Sequence, residues 1–320
     1  MSSSAAGPQH EAISQFRAYR RSLGRTPRLH RDTITLRGLQ FAVFRTDDPG
    51  TGTLPLICVN GGLIFDHALL WPALSPLAAA RQLIFYDQRG RGASAVPPGA
   101  RASRVEFDAA DLAALPEALG ISRCHLLGHS WGGGIAMLST RTANAHLASL
   151  TLINAVGLTG AWLPTLTPAA LERLTPAQRE RLLAADAAIR PGAPDAANPA
   201  ALSEYAAAIY PAWFAQPALA AILSPPVSTS ITGAAVSARL RRDGYDWRPL
   251  VPPVTMPTLL LHGTADLFPL GIARDTVAVL GALARLLPID GAGHNPFWEQ
   301  PSIVFSSIDA FLTAADSVTP

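Results

Sequence analysis

A chain of 320 residues, 49% of them hydrophobic and 15% charged, holds enough apolar material for one large core, or for one core with an inserted subdomain, and is too apolar to remain disordered. The formal net charge of +2 and the lack of a basic stripe interleaved with aromatics argue against a nucleic-acid partner, and no run reaches the ~18 apolar residues that a bilayer-spanning helix needs. Two cysteines, Cys58 and Cys124, each inside an apolar run, read as small buried hydrophobes and indicate neither a disulfide framework nor a metal site.

Residues 1–7, small and polar, are expected to form a loose tail without a secretion signal, so a cytoplasmic location is expected. An amphipathic helix follows, with Ile13, Phe16 and Leu23 on one face; the cluster Arg17, Arg20, Arg21, Arg25 and Arg28 reads as its solvated side. Thr33 to Arg37 and Leu39 to Arg45 alternate and are joined at Gly38, as in the antiparallel edge of a sheet. Six short runs come next, at Leu54–Val59, Leu83–Tyr86, His125–Leu127, Leu150–Ile153, Thr258–Leu261 and Arg285–Ile289. They are apolar on both faces, which suits parallel strands covered by helices. Helices are expected between them at Ala68–Ala80, Val105–Leu119, Gly132–Thr142, Ile272–Leu280 and Ser302–Ala314. Eight strands alternating with helices in this way describe an α/β protein with a mostly parallel, doubly wound sheet. The alternation stops between Gly157 and about Leu250, where Pro168–Leu183, Leu202–Phe214 and Ile231–Arg242 read as helices. So long an insertion is too much for a simple crossover. The expected organisation is a tail and helix at 1–30, a core domain at 31–156 and 251–320, and a helical cap at 157–250.

Ligands of open α/β sheets bind beyond the C-terminal ends of the strands, so the residues just after each run are where chemistry is sought. Gly128-His129-Ser130-Trp131-Gly132 follows the His125–Leu127 run. Glycines on both sides of one hydroxyl suggest a cramped turn in which another segment comes close. A serine hydroxyl is a poor nucleophile at neutral pH and needs a base, which in turn needs a third group to fix its tautomer. Of the eight histidines, His294 combines a position after the last strand with a glycine-rich approach. His125 and His262 lie at or inside strand ends and read as structural, and His129 points away from the base position. Asp266, after the Thr258–Leu261 run, is the preferred acid over Asp290, which sits four residues before His294 in the same loop. The oxyanion of acyl transfer needs preorganised N–H donors; the Trp131 backbone supplies one and the Gly61-Gly62-Leu63 loop the other. Ile64, Phe65, Trp131, Trp213, Phe214 and Phe268 with Leu63 suit an apolar pocket, and Glu204 on the cap is the candidate anchor for an amine, with an exposed helix-face charge as the preferred reading of it.

Three stretches carry a family resemblance: LIFYDQRGRGAS at Leu83–Ser94, GHSWGG at Gly128–Gly133, and GHNPFWEQP at Gly293–Pro301. Together they resemble the proline iminopeptidase branch of the α/β-hydrolases, over almost the whole sheet domain and not over the cap. The resemblance implies a nucleophile elbow at Ser130, a Ser130-Asp266-His294 triad in the family's chain order, and a helical cap over the site. It places the oxyanion-hole glycine at Gly62 with Trp131 as its partner, gives Asp87 and Arg89 a loop-bracing role, and implies a small-molecule or short-peptide substrate without metal or cofactor. The sequence departs from the family at Asn60-Gly61-Gly62-Leu63-Ile64, where His-Gly-Gly-Pro-Gly is usual, and Leu267 follows Asp266 where some members place an acid. Release of an N-terminal proline therefore stands beside cleavage of an ester or lactone, acyl transfer or cyclisation of an apolar metabolite, and non-catalytic ligand binding.

Overall fold

The structure is a computed structural model that describes residues 8–225 and 228–317; the proposed N-terminal tail lies outside them. Eight strands form one sheet: β1 (His30–Leu36), β2 (Leu39–Arg45), β3 (Leu56–Val59), β4 (Leu83–Tyr86), β5 (Cys124–His129), β6 (Leu147–Ile153), β7 (Thr258–Gly263) and β8 (Ala284–Ile289). Their order is β1-β2-β4-β3-β5-β6-β7-β8. β1 and β2 pair antiparallel, β2 joins β4 antiparallel, and all remaining neighbours are parallel. The two-sided apolar runs and the alternating edge thus became what their patterning requires.

Successive residues of a strand face opposite sides, so the sheet divides the core in two. Ile57, Ile84 and Leu126 pack against α2 (Val105–Ala118) and α3 (Trp131–Ala143). Cys58, Phe85 and Leu127 pack on the other side, where α10 (Pro301–Asp316) contributes Val304, Ile308 and Leu312. On that side α1 (Pro8–Ser22) lays Phe16 and Tyr19 edge-on against Trp298, and Arg20 stacks over the same ring. Both cysteines are free and buried, and burial pushes the Cys124 thiol up to about 12 and Cys58 higher still, so neither offers a thiolate at neutral pH.

Three expected helices take a different form. Ala68–Ala80 is two short 3₁₀ turns, His67–Leu69 and Ser75–Ala79, because Pro72 and Pro76 cannot donate to an α-helical ladder. Pro168–Leu183 divides into α4 (Leu163–Leu171) and α5 (Pro176–Ala188), since Thr175 and Gln178 form a capping box and Pro176 opens a new helix. The stretch Leu202–Phe214 becomes α6 (Pro199–Ile209) followed by a 3₁₀ turn, Tyr210–Trp213, that contains Pro211. With α7 (Ile231–Asp243) these elements fill the chain between β6 and β7, and the described residues there hold no strand, only one isolated bridge between Thr159 and Asp246. After β7 come α8 (Leu270–Leu280) and the short α9 (Pro296–Glu299). No helix among the described residues is long and apolar enough to cross a membrane.

The loop after β4 is fixed by buried ion pairs. Arg91 Nη1 lies 2.7 Å from the Asp108 carboxylate, with both side chains excluded from water. Arg89 grips Asp111 with two nitrogens at 2.6 and 2.7 Å. Asp87 accepts from the backbone N–H groups of His67 and Ala93. Asp87 and Arg89 therefore hold the loop, in keeping with the role the resemblance implies. Removing one partner of such a pair leaves an uncompensated buried charge, which costs about 3–5 kcal/mol. Asp108→Ala should lower the unfolding free energy by about that amount in urea titration, with Arg91 the stranded charge.

Candidate active site

The turn between β5 and α3 forces Ser130 to φ 53° and ψ −120°, a conformation that a non-glycine residue holds only when its surroundings insist. Two close approaches supply that insistence. A Cβ on Gly128 would lie 2.6 Å from the carbonyl oxygen of Gly132, and a Cβ on Gly132 would run into the carbonyl of Val59 at the end of β3. The backbone of β3 and the start of α3 thus lock together through hydrogen-only positions. The Ser130 N–H donates to Ile153 O at 3.0 Å, and its carbonyl accepts from Val156 N at 3.1 Å, which ties the turn to the end of β6.

Beyond the ends of β5, β7 and β8 the three expected side chains meet. His294 Nε2 is 2.8 Å from Ser130 Oγ, and His294 Nδ1 lies 2.9 and 3.0 Å from the two Asp266 oxygens. A carboxylate can only accept, so Nδ1 carries the proton and Nε2 is left to accept from the serine hydroxyl. Burial works to raise the Asp266 carboxyl, but the charge of His294 and the hydrogen bonds from His294 and Asn154 outweigh it and hold it below the usual carboxylate range. The imidazole itself is boxed in. Trp213 lies 4.1 Å away between ring centres, His129 4.9 Å and Phe268 5.1 Å.

Asn154 was not singled out by sequence. Its Nδ2 donates to Asp266 Oδ2 and to Gly293 O, and its Oδ1 accepts from Gly263 N, so one amide joins the ends of β6 and β7 to the loop that carries His294. It sits at φ 44°, immediately after β6. The available signal was its position, since the same strand-end rule picks out the other site residues. His129 does not compete as a base: its Nε2 donates to the His294 carbonyl at 2.9 Å, and burial followed by the nearby His294 lowers it to about 3, so it is neutral at pH 7. His125 and His262 are structural, bonded to Ser149 and Asp316 and to Phe268 O respectively. The imidazole of His294 is bonded to Asp266 and not to Asp290.

Above Ser130 lies a cavity of about 150 Å³, space for a group the size of benzene. Leu63, Ile64, Phe65, Trp131, Trp213 and Phe268 line it, and so does Gly62. Trp131 is the first residue of α3, so its N–H has no acceptor within the helix. Gly62, at φ 70°, has the Phe65 ring directly over it, and the Leu63 carbonyl is fixed by Arg91 Nε at 3.0 Å. Two expected pocket residues lie elsewhere. Phe214 is fully buried in the opposite half of the core, because the 3₁₀ turn sends Trp213 and Phe214 to different sides. Glu204 is about half exposed and pairs with Arg181 at 2.6 and 3.0 Å, which holds its carboxyl below the usual range.

Residues 55–301 match the alpha/beta hydrolase fold family, and the chain belongs to that family. A Pantoea ananatis protein named as carbamate hydrolase RutD is 40% identical over 100 residues, 31% of this chain and 35% of that one. A proline iminopeptidase of Heyndrickxia coagulans is 36% identical over 104 residues, 32% and 35% of the two chains. The chain spans about a third of the length of these curated relatives. A thermophilic esterase from Thermogutta terrifontis superposes with a TM-score of 0.66 over 90% of this chain and 100% of that one, at 24% identity, a likeness of fold.

The loop that carries His294 depends on Glu299, which accepts from Gly293 N at 2.8 Å and Ala215 N at 2.7 Å. Burial raises its carboxyl to about 7 despite these bonds. A raised folded-state value favours the protonated form, so the stability it contributes is complete below the ordinary value of 4.5 and is lost as pH rises through about 7. Thermal melts of the wild type should therefore fall between pH 5 and pH 8 more steeply than those of Glu299→Gln; parallel profiles would contradict this.

Proposed function

We propose that the chain is a serine hydrolase that cleaves an ester or amide bond of a small, largely apolar substrate through an acyl-Ser130 intermediate. The observation that carries this reading is the unbroken hydrogen-bond chain from Ser130 Oγ through His294 to Asp266 at the floor of the cavity. As Ser130 Oγ attacks the substrate carbonyl, its proton passes to His294 Nε2, and the imidazolium is stabilised by Asp266, which stays ionised. The oxyanion is met by the N–H of Trp131 and the N–H groups of the Gly62-Leu63 loop. The tetrahedral adduct collapses as His294 returns the proton to the leaving oxygen or nitrogen. A water molecule, deprotonated by the same nitrogen, then attacks the acyl carbonyl and releases the acid and free Ser130. The helical segment 157–250 serves as the cap, since Trp162, Leu166, Leu202, Tyr205 and Trp213 from it line the cavity.

Within that class the lining favours an ester or lactone over an N-terminal prolyl amide. A free ammonium leaving water needs a carboxylate to receive it, and no Asp or Glu lines the cavity among the described residues. Glu204, the candidate anchor, is turned to solvent and occupied by Arg181. The named activities of the relatives, a carbamate hydrolase, a proline iminopeptidase and an esterase, are consistent with acyl chemistry at such a site and leave the substrate to the lining.

Ser130→Ala should lower kcat/KM for a short acyl p-nitrophenyl ester by at least about 10⁴-fold, and Asp266→Asn by about 10⁴-fold. Undiminished turnover in Ser130→Ala would reject the mechanism. The same wild-type preparation should prefer that ester to prolyl p-nitroanilide by more than about tenfold; the reverse preference would restore the aminopeptidase reading.

A further inference from the structure

Resting on the acyl-Ser130 reading, we propose that the substrate's acyl chain ends in a carboxylate that is received by Arg241 and Ser237 of α7. Among the described residues, Arg241 is the one permanently charged residue that lines the cavity. Its side chain is only 18% exposed, and its guanidinium lies 4.6 Å over the Tyr205 ring, which orients it without neutralising it. The nearest carboxylate, Asp186, is 3.8 Å from Arg241 Nη1, beyond direct hydrogen-bond reach. That carboxylate is already engaged by Arg190 at 3.0 Å and Thr167 at 2.9 Å. Two guanidiniums thus share one carboxylate, and Arg241 forms the longer of the two ion pairs, which leaves its hydrogen-bonding donors free of Asp186.

Ser237, four residues before Arg241, lies on the same face of α7 and also lines the cavity. Its hydroxyl has no partner among the described residues. A guanidinium and a hydroxyl one helical turn apart, in walls that also include Trp162, Leu166, Leu202 and Leu240, put two polar groups into a largely apolar site. One guanidinium matches a single carboxylate; a phosphate dianion ordinarily gathers several donors or a helix N-terminus.

The receiving groups are also held at a fixed distance from the nucleophile. Ser230 caps α7 by accepting from Gly233 N and donates to Gly90 O at 2.7 Å, and Thr232 donates to Arg89 O at 3.0 Å. Ser228 donates to Ile64 O at 2.6 Å. The start of α7 is therefore bonded to the loop after β4 and to the loop after β3, which reaches the cavity through Ile64, so α7 selects substrates by the separation of their carbonyl and carboxylate.

The test compares mono-p-nitrophenyl esters of adipic, pimelic and suberic acids with methyl-terminated esters of the same chain lengths. At one length the wild type should favour the carboxylate ester by about tenfold in kcat/KM, mainly through KM. Arg241→Met should abolish that preference while leaving the neutral ester within about twofold, and Arg241→Lys should restore part of it. A wild type without the preference, or Arg241→Met lowering both ester types alike, overturns the carboxylate site while Ser130-dependent cleavage of the neutral ester leaves the hydrolase reading standing. Calorimetric binding of pimelic acid monoamide to Ser130→Ala, with and without Arg241→Met, reads the site without turnover. Arg241-dependent binding with no ester cleaved by the wild type would support the carboxylate site and reject the hydrolase reading; no binding and no preference reject the site.

Discussion

A carboxylate removed from water must have its charge answered by its neighbours, and in this molecule the answer to Asp266 organises the entire rim of the sheet. His294 gives it a proton-bearing nitrogen and Asn154 an amide N–H. To deliver those donors, β6, β7 and the loop after β8 must end at one place. The imidazole that results is oriented at both nitrogens, with Asp266 on one side and Ser130 on the other. Every structural element that follows is a means of keeping that line of hydrogen bonds dry and in register. The glycines of the Ser130 turn let β3 and α3 close on each other, Glu299 holds the His294 loop, and three aromatic rings wall the imidazole.

The cavity above this line has a gradient of character. At the floor are the hydroxyl, the imidazole and the N–H groups of a helix start; along the sides the lining is aliphatic and aromatic; at α7 a guanidinium and a hydroxyl reappear. Low local polarity strengthens each of these charged contacts, because little water intervenes to screen them. On the proposed reading, the same low polarity disfavours a free ammonium group and suits an acyl chain. The buried pairs Arg89–Asp111 and Arg91–Asp108 keep the neighbouring loop rigid, and through Thr232 and Ser230 that rigidity is passed to α7.

The parts of the fold written in short-range chemistry were readable from sequence. Parallel strands buried on both faces must be continuously apolar, so Ile57, Ile84 and Leu126 and their neighbours announced the sheet. Side chains placed just past strand ends are confined to one rim by topology alone, which is why Ser130 could be grouped with Asp266 and His294, the latter 164 residues away along the chain. What stayed hidden depends on contacts between distant residues or on a single turn. Glu204 looked available until Arg181, on a different helix, claimed it. Phe214 and Trp213 are adjacent yet face opposite sides, which no periodicity reveals in a 3₁₀ turn. Ala68–Ala80 has helical apolar spacing, and its two prolines decided otherwise. Asn154 carries no motif, and Arg241 reads in sequence as one more charge on a helix face.

Covalent labelling tests the central claim most directly. Intact-mass analysis after treatment with a fluorophosphonate should show one adduct per chain, mapped by peptide sequencing to Ser130 and formed much more slowly in His294→Ala. Labelling at a different residue, or at Ser130 with a rate indifferent to His294, would contradict the account.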